Sequence, residues 1–208
     1  MKTANTLKDT IYQKIMNGIL SLEYKPNDIL TERELIEKYG CSKSPVRDAL
    51  VTLCNEHVLI SHPRYGYEVV RLTQEDVKYI LEYRLLLESA LLGRSYASIG
   101  PPEIDELIRL DALCRKTLDE NMWTHWEANT KFHLTLASYQ GNPFTIRQLE
   151  SAMLTLKRAY AQFYMNTWTT SNPNNDVRYH ETLIKGLKNH DKDLCMSALR
   201  DDLTDFAV

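Results

Sequence analysis

Apolar residues Leu7, Ile11, Ile15 and Ile19 recur every four positions, the stripe of an amphipathic helix running from Leu7 to Leu20. The run Tyr24-Lys25-Pro26-Asn27-Asp28 breaks that helix, and Asn27 suits the left-handed backbone that a turn after Pro26 requires. Thr31 followed three residues later by Glu34 is a capping-box pattern, which predicts a short helix over TERELIEKYG closed by Gly40. A second short helix follows at once over SPVRDALVTLCNEH. Its start is marked by Ser42 or Ser44 with Pro45 in the first turn, and Val46, Ala49, Leu50 and Leu53 share one face. Two short helices joined by a tight turn make a helix-turn-helix. The segment VLISHPRYGYEVVRL then alternates and is rich in β-branched and aromatic residues on either side of Pro63-Arg64-Tyr65-Gly66, so it predicts a β-hairpin. A helix-turn-helix carrying a hairpin is a winged helix, and residues 1–70 are assigned to one.

Strand signals end there. Thr73 and Asp76 suggest a new helix start, with the helix running to about Ser98 and stopped by Gly100-Pro101-Pro102. Further helical segments are predicted from Glu103 to Asp119, Met122 to Tyr139, Pro143 to Met165, Asp176 to Asn189 and Asp191 to Phe206, with one long polar loop from Thr169 to Asn175. The expected fold is therefore mostly α: an N-terminal winged helix-turn-helix followed, over residues 73–208, by an all-helical bundle.

Composition narrows the class. A chain of 208 residues accommodates two modest domains, and 43% hydrophobic with 25% charged residues is ordinary for a globular protein. No apolar run approaches the roughly 20 residues of a spanning helix, and the N-terminal MKTANTLKDTIYQ is too polar for a signal peptide, so a cytoplasmic protein is expected. Cys41, Cys54, Cys114 and Cys195 are scattered without a CxxC spacing and read as reduced, mostly buried thiols. The net charge of -3 gives no basic surplus for nucleic acid, and residues 1–70 balance nine Lys and Arg against nine Asp and Glu. A DNA-facing surface must be basic locally.

Such a surface is available. Lys43, Ser44 and Arg47 stand at the N-terminus of the second short helix, where a recognition helix reaches base edges and phosphates. Arg33 lies in the helix before it, and Arg64 and Tyr65 occupy the wing tip. The alternative is that these are ordinary surface groups on a protein-binding module. The run LTERELIEKYGCSKSPVRDALVTLCNEHVLISHPRYGYEV resembles the DNA-binding domain of the GntR family of transcriptional regulators. The shared pattern is the acidic-Arg-acidic-Leu helix, the Ser-x-x-Pro-Val-Arg-acidic-Ala-Leu recognition helix and the Pro-x-x-Gly wing. The resemblance implies that Arg33, Lys43, Ser44 and Arg47 contact DNA and that Gly66 shapes the wing. Lys43 stands where an arginine is usual and Asn27 where a glycine is usual; a lysine cannot make the bidentate guanine contact of an arginine.

The helical half carries a second pattern. Trp126, Asn129, His133, Leu136 and Ala137 fall on one helical face, His180 is centred among Leu183, Ile184 and Leu187, and Asp202 is flanked by Cys195, Ala198, Leu199 and Phe206. Polar groups aimed into apolar stripes on three helices are costly to bury unless they satisfy one another or hold an ion. Their donor set suits a divalent metal such as zinc, nickel, manganese or iron, while a hydrogen-bonded core network is the alternative. This half resembles the FCD ligand-binding domain of the FadR-type GntR branch, through Asn129-x-x-x-His133, Gly141-Asn142, His180 and a last residue at Asp202. Metal-binding members use an aspartate and three histidines; here Asn129 replaces the aspartate and Asp202 the final histidine. The resemblance also implies a small effector, commonly a carboxylate metabolite, above the metal. Arg84 and Glu88 match the family's Arg-x-x-x-Glu, either as an anion clamp or as an internal ion pair that fixes helix packing. A homodimer is expected, because one helix-turn-helix reads only a few base pairs. The rivals are a helical metal-dependent hydrolase, disfavoured by the lack of an HExxH pattern, and a DNA-binding protein whose pocket senses nothing.

Overall fold

The computed structural model describes residues 6–118, 120–165 and 176–204, so the loop expected from Thr169 to Asn175 and the helix ends expected at Asp119 and Phe206 lie outside the described residues. The described chain forms two compact units, one of residues 6–73 with 157–165 and one of residues 74–156 with 176–204.

The first unit opens with α1 (Leu7–Leu20), started by a capping box between Thr6 and Asp9. Ile11, Ile15 and Ile19 are buried as the stripe requires, whereas Leu7 is 53% exposed, so the buried face begins one turn into the helix. α2 (Glu32–Tyr39) begins with the Thr31–Glu34 capping box and ends at Gly40, whose φ of 60° is the left-handed conformation that spares a glycine the Cβ penalty. α3 (Lys43–Asn55) starts after Ser42, which makes no side-chain cap bond, and buries Val46, Ala49, Leu50 and Leu53 completely, packing on α1. Val46, Leu50 and Leu53 each contribute about 1.5–3 kcal/mol by leaving water.

The wing has one strand more than the sequence pattern predicts. β1 (Ile29–Leu30), β2 (Leu59–His62) and β3 (Gly66–Val69) form an antiparallel sheet in the order β1-β3-β2, with Ile29 opposite Glu68 and Leu59 opposite Val69. Two residues are too few to show a period of two. Asn27 takes the left-handed backbone, φ 69°, and its N–H donates to the Val69 carbonyl at 2.9 Å, so the turn after Pro26 delivers β1 to the sheet.

The second unit is helical: α4 (Gln74–Ser95) runs into a 3-10 turn at Tyr96–Ser98 and is followed by α5 (Pro101–Thr117), α6 (Met122–Ser138), α7 (Pro143–Tyr164), α8 (Asp176–Lys188) and α9 (Lys192–Thr204). Pro101 and Pro102 open α5 rather than preceding it, because a first-turn proline gives up an amide that has no helical partner anyway. Glu103 closes the start by accepting from Gly100 N–H at 3.0 Å. α8 packs along α9, α5 against α6 and α8, and α4 against α9, around a core that includes Leu107, Leu110, Phe132, Leu183 and Leu199. The end of α7 belongs to the first unit. There Arg158, 3% exposed, donates through Nη1 to the His57 carbonyl at 3.1 Å, and Gln162 Oε1 accepts from Leu72 N–H at 3.1 Å. Cys114 and Cys195 are buried, Cys41 and Cys54 partly so, and no disulfide joins any of the four among the described residues. No helix among the described residues is long and apolar enough to cross a membrane.

Candidate functional site

The N-terminus of α3 presents Lys43, Ser44 and Arg47 to solvent, and Arg33 is exposed on α2. Lys43 and Arg47 meet at a carboxylate that sequence reasoning did not single out: Glu32 lies 3.3 Å from Lys43 Nζ and 3.2 Å from Arg47 Nε, and accepts from Tyr67 OH at 3.3 Å. Glu32 is only 20% exposed, while the two cations are more than half exposed. One acidic side chain thus ties α2, the start of α3 and strand β3 together and orients two donors outward. Ser44 Oγ donates to Asp48 at a long 3.4 Å. Arg33 and Lys43 line one surface depression with Ile36 and Glu37. At the hairpin tip Tyr65 is 68% exposed and Arg64 has a left-handed backbone with φ 68°. Gly66 has φ 141°, and a Cβ there would fall 2.7 Å from the Leu30 carbonyl oxygen, so the close crossing of β1 and β3 requires glycine.

The second unit buries a polar chain. Arg84 and Glu88 sit one turn apart on the inner face of α4, 1% and 3% exposed, and Arg84 Nε donates to Glu88 Oε1 at 2.8 Å. Glu88 Oε2 lies 2.8 Å from His133 Nδ1 on α6, and His133 Nε2 lies 3.0 Å from Asp202 Oδ2 on α9, misaligned for a hydrogen bond. His180 on α8 completes a cluster in which one ligand atom each from His133, His180 and Asp202 lies within 4.8 Å of the others. Phe132 stacks flat on the His180 ring, with centroids 3.7 Å apart and planes 15° from parallel. Asn129 is buried one turn before His133 on the same helix. Asp111 on α5, which the sequence reading did not include, places Oδ1 3.7 Å from His180 Nδ1 while its other oxygen accepts from Arg115.

Electrostatics follows from this geometry. Burial works against a charge on His133, but the carboxylates of Glu88 and Asp202 outweigh it and raise its pKa to about 9. Burial likewise opposes ionisation of Glu88, yet Arg84 and His133 overcome it and hold the carboxyl at about 2.

The fit to a cation can be judged from unused bonding capacity. His133 Nε2, both ring nitrogens of His180 and both oxygens of Asp202 are buried with no hydrogen-bond partner among the described residues. Leaving one such group unpaired costs about 1–3 kcal/mol, and here the unpaired atoms converge. Two imidazoles and a carboxylate are a divalent-metal donor set, and His133 is aimed by a carboxylate on its far nitrogen, the usual support of a metal-bound histidine. The residues present fit a divalent ion.

Residues 7–69 match the model of the bacterial regulatory proteins of the gntR family, and residues 79–205 match that of the FCD domain. The chain belongs to the GntR family, in the branch that carries an FCD domain. This GntR regulator is 24% identical over 202 residues to the gluconate operon transcriptional repressor of Bacillus licheniformis, covering 92% of this chain and 78% of that one. It is 23% identical over 202 residues to the HTH-type transcriptional repressor RspR of Escherichia coli, covering 95% and 86%. Its fold is that of McbR/YncC from Escherichia coli, with a TM-score of 0.77 at 18% identity over 96% and 94% of the two chains. The family and these relatives are transcriptional regulators and not enzymes, which removes the hydrolase reading.

Proposed function

We propose that this GntR regulator binds an operator as a cytoplasmic homodimer and that a small organic acid, taken up beside a divalent metal in the helical unit, alters its operator affinity. The observation that carries the reading is the convergence of unpartnered, buried atoms from His133, His180 and Asp202. Asn129, one turn from His133, offers a neutral amide oxygen as a further ligand. A divalent ion held there supplies a Lewis-acidic point for a carboxylate oxygen. Arg84 contributes directly. Its Nε is engaged by Glu88, but Nη2 is buried with no partner among the described residues and remains a charged donor for an anion.

Operator reading falls to Arg33, Lys43, Ser44 and Arg47 in and beside the major groove, with Arg64 and Tyr65 on the wing that Gly66 shapes. Binding of the acid shifts the population between arrangements of the paired reading heads. A second reading, a structural polar core that senses nothing, draws support from the Arg84-Glu88-His133 chain, in which a charged His133 is well solvated by carboxylates.

Metal analysis of protein purified without chelator, beside the His133→Ala/His180→Ala variant, separates the two. Stoichiometric metal lost in the variant, with operator affinity that changes when carboxylates are added, supports sensing. Absence of metal after dialysis against manganese, zinc and nickel, with operator affinity indifferent to organic acids, leaves the structural core.

A further inference from the structure

Helix α4 is apolar on two faces. Val77 and Leu91 are buried inward beside Arg84 and Glu88, yet Tyr79, Tyr83 and Leu86 are 60%, 38% and 67% exposed. Positions 79, 83, 86, 90 and 93 alternate in steps of four and three, so Tyr79, Tyr83, Leu86, Ala90 and Gly93 form one outward seam with the spacing of a helix-helix contact. Three large apolar side chains on one exposed line differ from the scattered singles of an ordinary surface.

Gly93 is the second observation. Among the described residues nothing lies within 4 Å of the Cβ it lacks, so their packing gives no reason for a glycine there. In a helix interior glycine costs about 1 kcal/mol relative to alanine, a cost repaid where another chain's backbone or ring comes close.

We infer that this seam is the face on which two copies of the chain pair, α4 against α4 in antiparallel orientation; the inference rests on the proposed homodimer and names its surface. The seam is graded, with bulky Tyr79 and Tyr83 in its first half and Ala90 and Gly93 in its second. A two-fold axis near Leu86 lays the first half of one helix on the second half of the other, so rings meet gaps at both ends of one self-complementary contact. Parallel pairing sets ring against ring and leaves an unfilled groove at Gly93. Charge favours the same orientation: Glu75, Asp76, Lys78 and Glu82 make the first half net acidic, and Arg94 makes the end of the second basic.

The test is the mass of the full chain in solution, by light scattering and sedimentation across a dilution series. Leu86→Asp is expected to weaken the dimer by roughly 30-fold or more with an unchanged far-UV spectrum. Gly93→Leu is expected to raise thermal stability of the monomer through helix propensity while weakening dimerisation, a pair of opposite effects that mere misfolding does not produce. Orientation is read by cross-linking in a Cys41→Ser/Cys54→Ser background: Tyr83→Cys mixed with Ala90→Cys forms an inter-chain disulfide, and neither variant links to itself. A dimer indifferent to both Leu86→Asp and Gly93→Leu overturns the face and leaves the homodimer standing. A wild type that stays monomeric at tens of micromolar overturns both, and self-linking of each single variant overturns the antiparallel arrangement.

Discussion

Glu88 on α4 holds the Nδ1 side of His133 on α6 at 2.8 Å, and this contact fixes which nitrogen of the histidine faces Asp202. With Nδ1–H donating to the carboxylate, Nε2 is the nitrogen turned to the cluster, where a metal ion would displace its proton, and Arg84 in turn anchors Glu88. The pairing couples the first helix of the unit to the candidate metal centre.

Glu88→Gln is therefore expected to lower metal affinity by about 10- to 100-fold without removing a ligand. Competition titration against a chromophoric chelator measures it. Unchanged affinity alongside a lowered melting temperature would mean that Glu88 only balances Arg84.

Stability should respond to pH differently with and without metal. In chelator-treated protein the His133 pKa of about 9 exceeds its ordinary 6.5, so the stabilisation from its charged form is complete below 6.5 and is lost as pH rises through about 9. Glu88, held at about 2 against 4.5, gives stabilisation that is present above 4.5 and lost only as pH falls toward 2. A bound ion displaces the His133 proton, so metal-saturated protein should instead gain stability as pH rises toward 6.5, where the unfolded histidine gives up its proton, and stay level from 6.5 to 9. Melting curves with chelator and with excess manganese check both slopes; parallel curves would refute competition at His133.

Glu32→Gln removes the charge that Lys43 and Arg47 share while keeping an acceptor for Tyr67. Binding to random-sequence duplex should tighten and its salt dependence steepen, because two cations are freed for phosphates. Affinity for a duplex selected from a random library should gain less, so the ratio of selected to random affinity falls. A ratio and salt slope equal to wild type would show that Glu32 has no part in orienting the donors.

Gly66→Ala forces a Cβ to within 2.7 Å of the Leu30 carbonyl at a φ of 141°. A loss of more than about 1 kcal/mol in the first unit is expected. DNA affinity should fall while metal binding is retained. Loss of both together would mean that the two units do not unfold separately.

Much of the DNA-reading half was legible in the chain because its signals are local. The Thr31–Glu34 capping box, the left-handed Gly40 and Asn27, and the stripe of Val46, Ala49, Leu50 and Leu53 each involve residues within a few positions of one another. Strand β1 escaped notice since two residues carry no period, and the placement of Arg158 against His57 joins positions 101 apart, where nothing local speaks. In the helical half the apolar faces around His133, His180 and Asp202 marked inward positions, but not who meets whom.

Sequence alone determined the succession of helices and hairpin, the family, and the residue types available to each site, because periodicity, caps and turn chemistry act over one or two helical turns. Tertiary structure decided that Glu32 gathers Lys43 and Arg47, that Glu88 aims His133, and that unpaired atoms from α6, α8 and α9 converge. Those relationships depend on how helices distant in the chain rotate and cross as apolar faces are buried. A polar side chain acquires its partner only when that packing is complete.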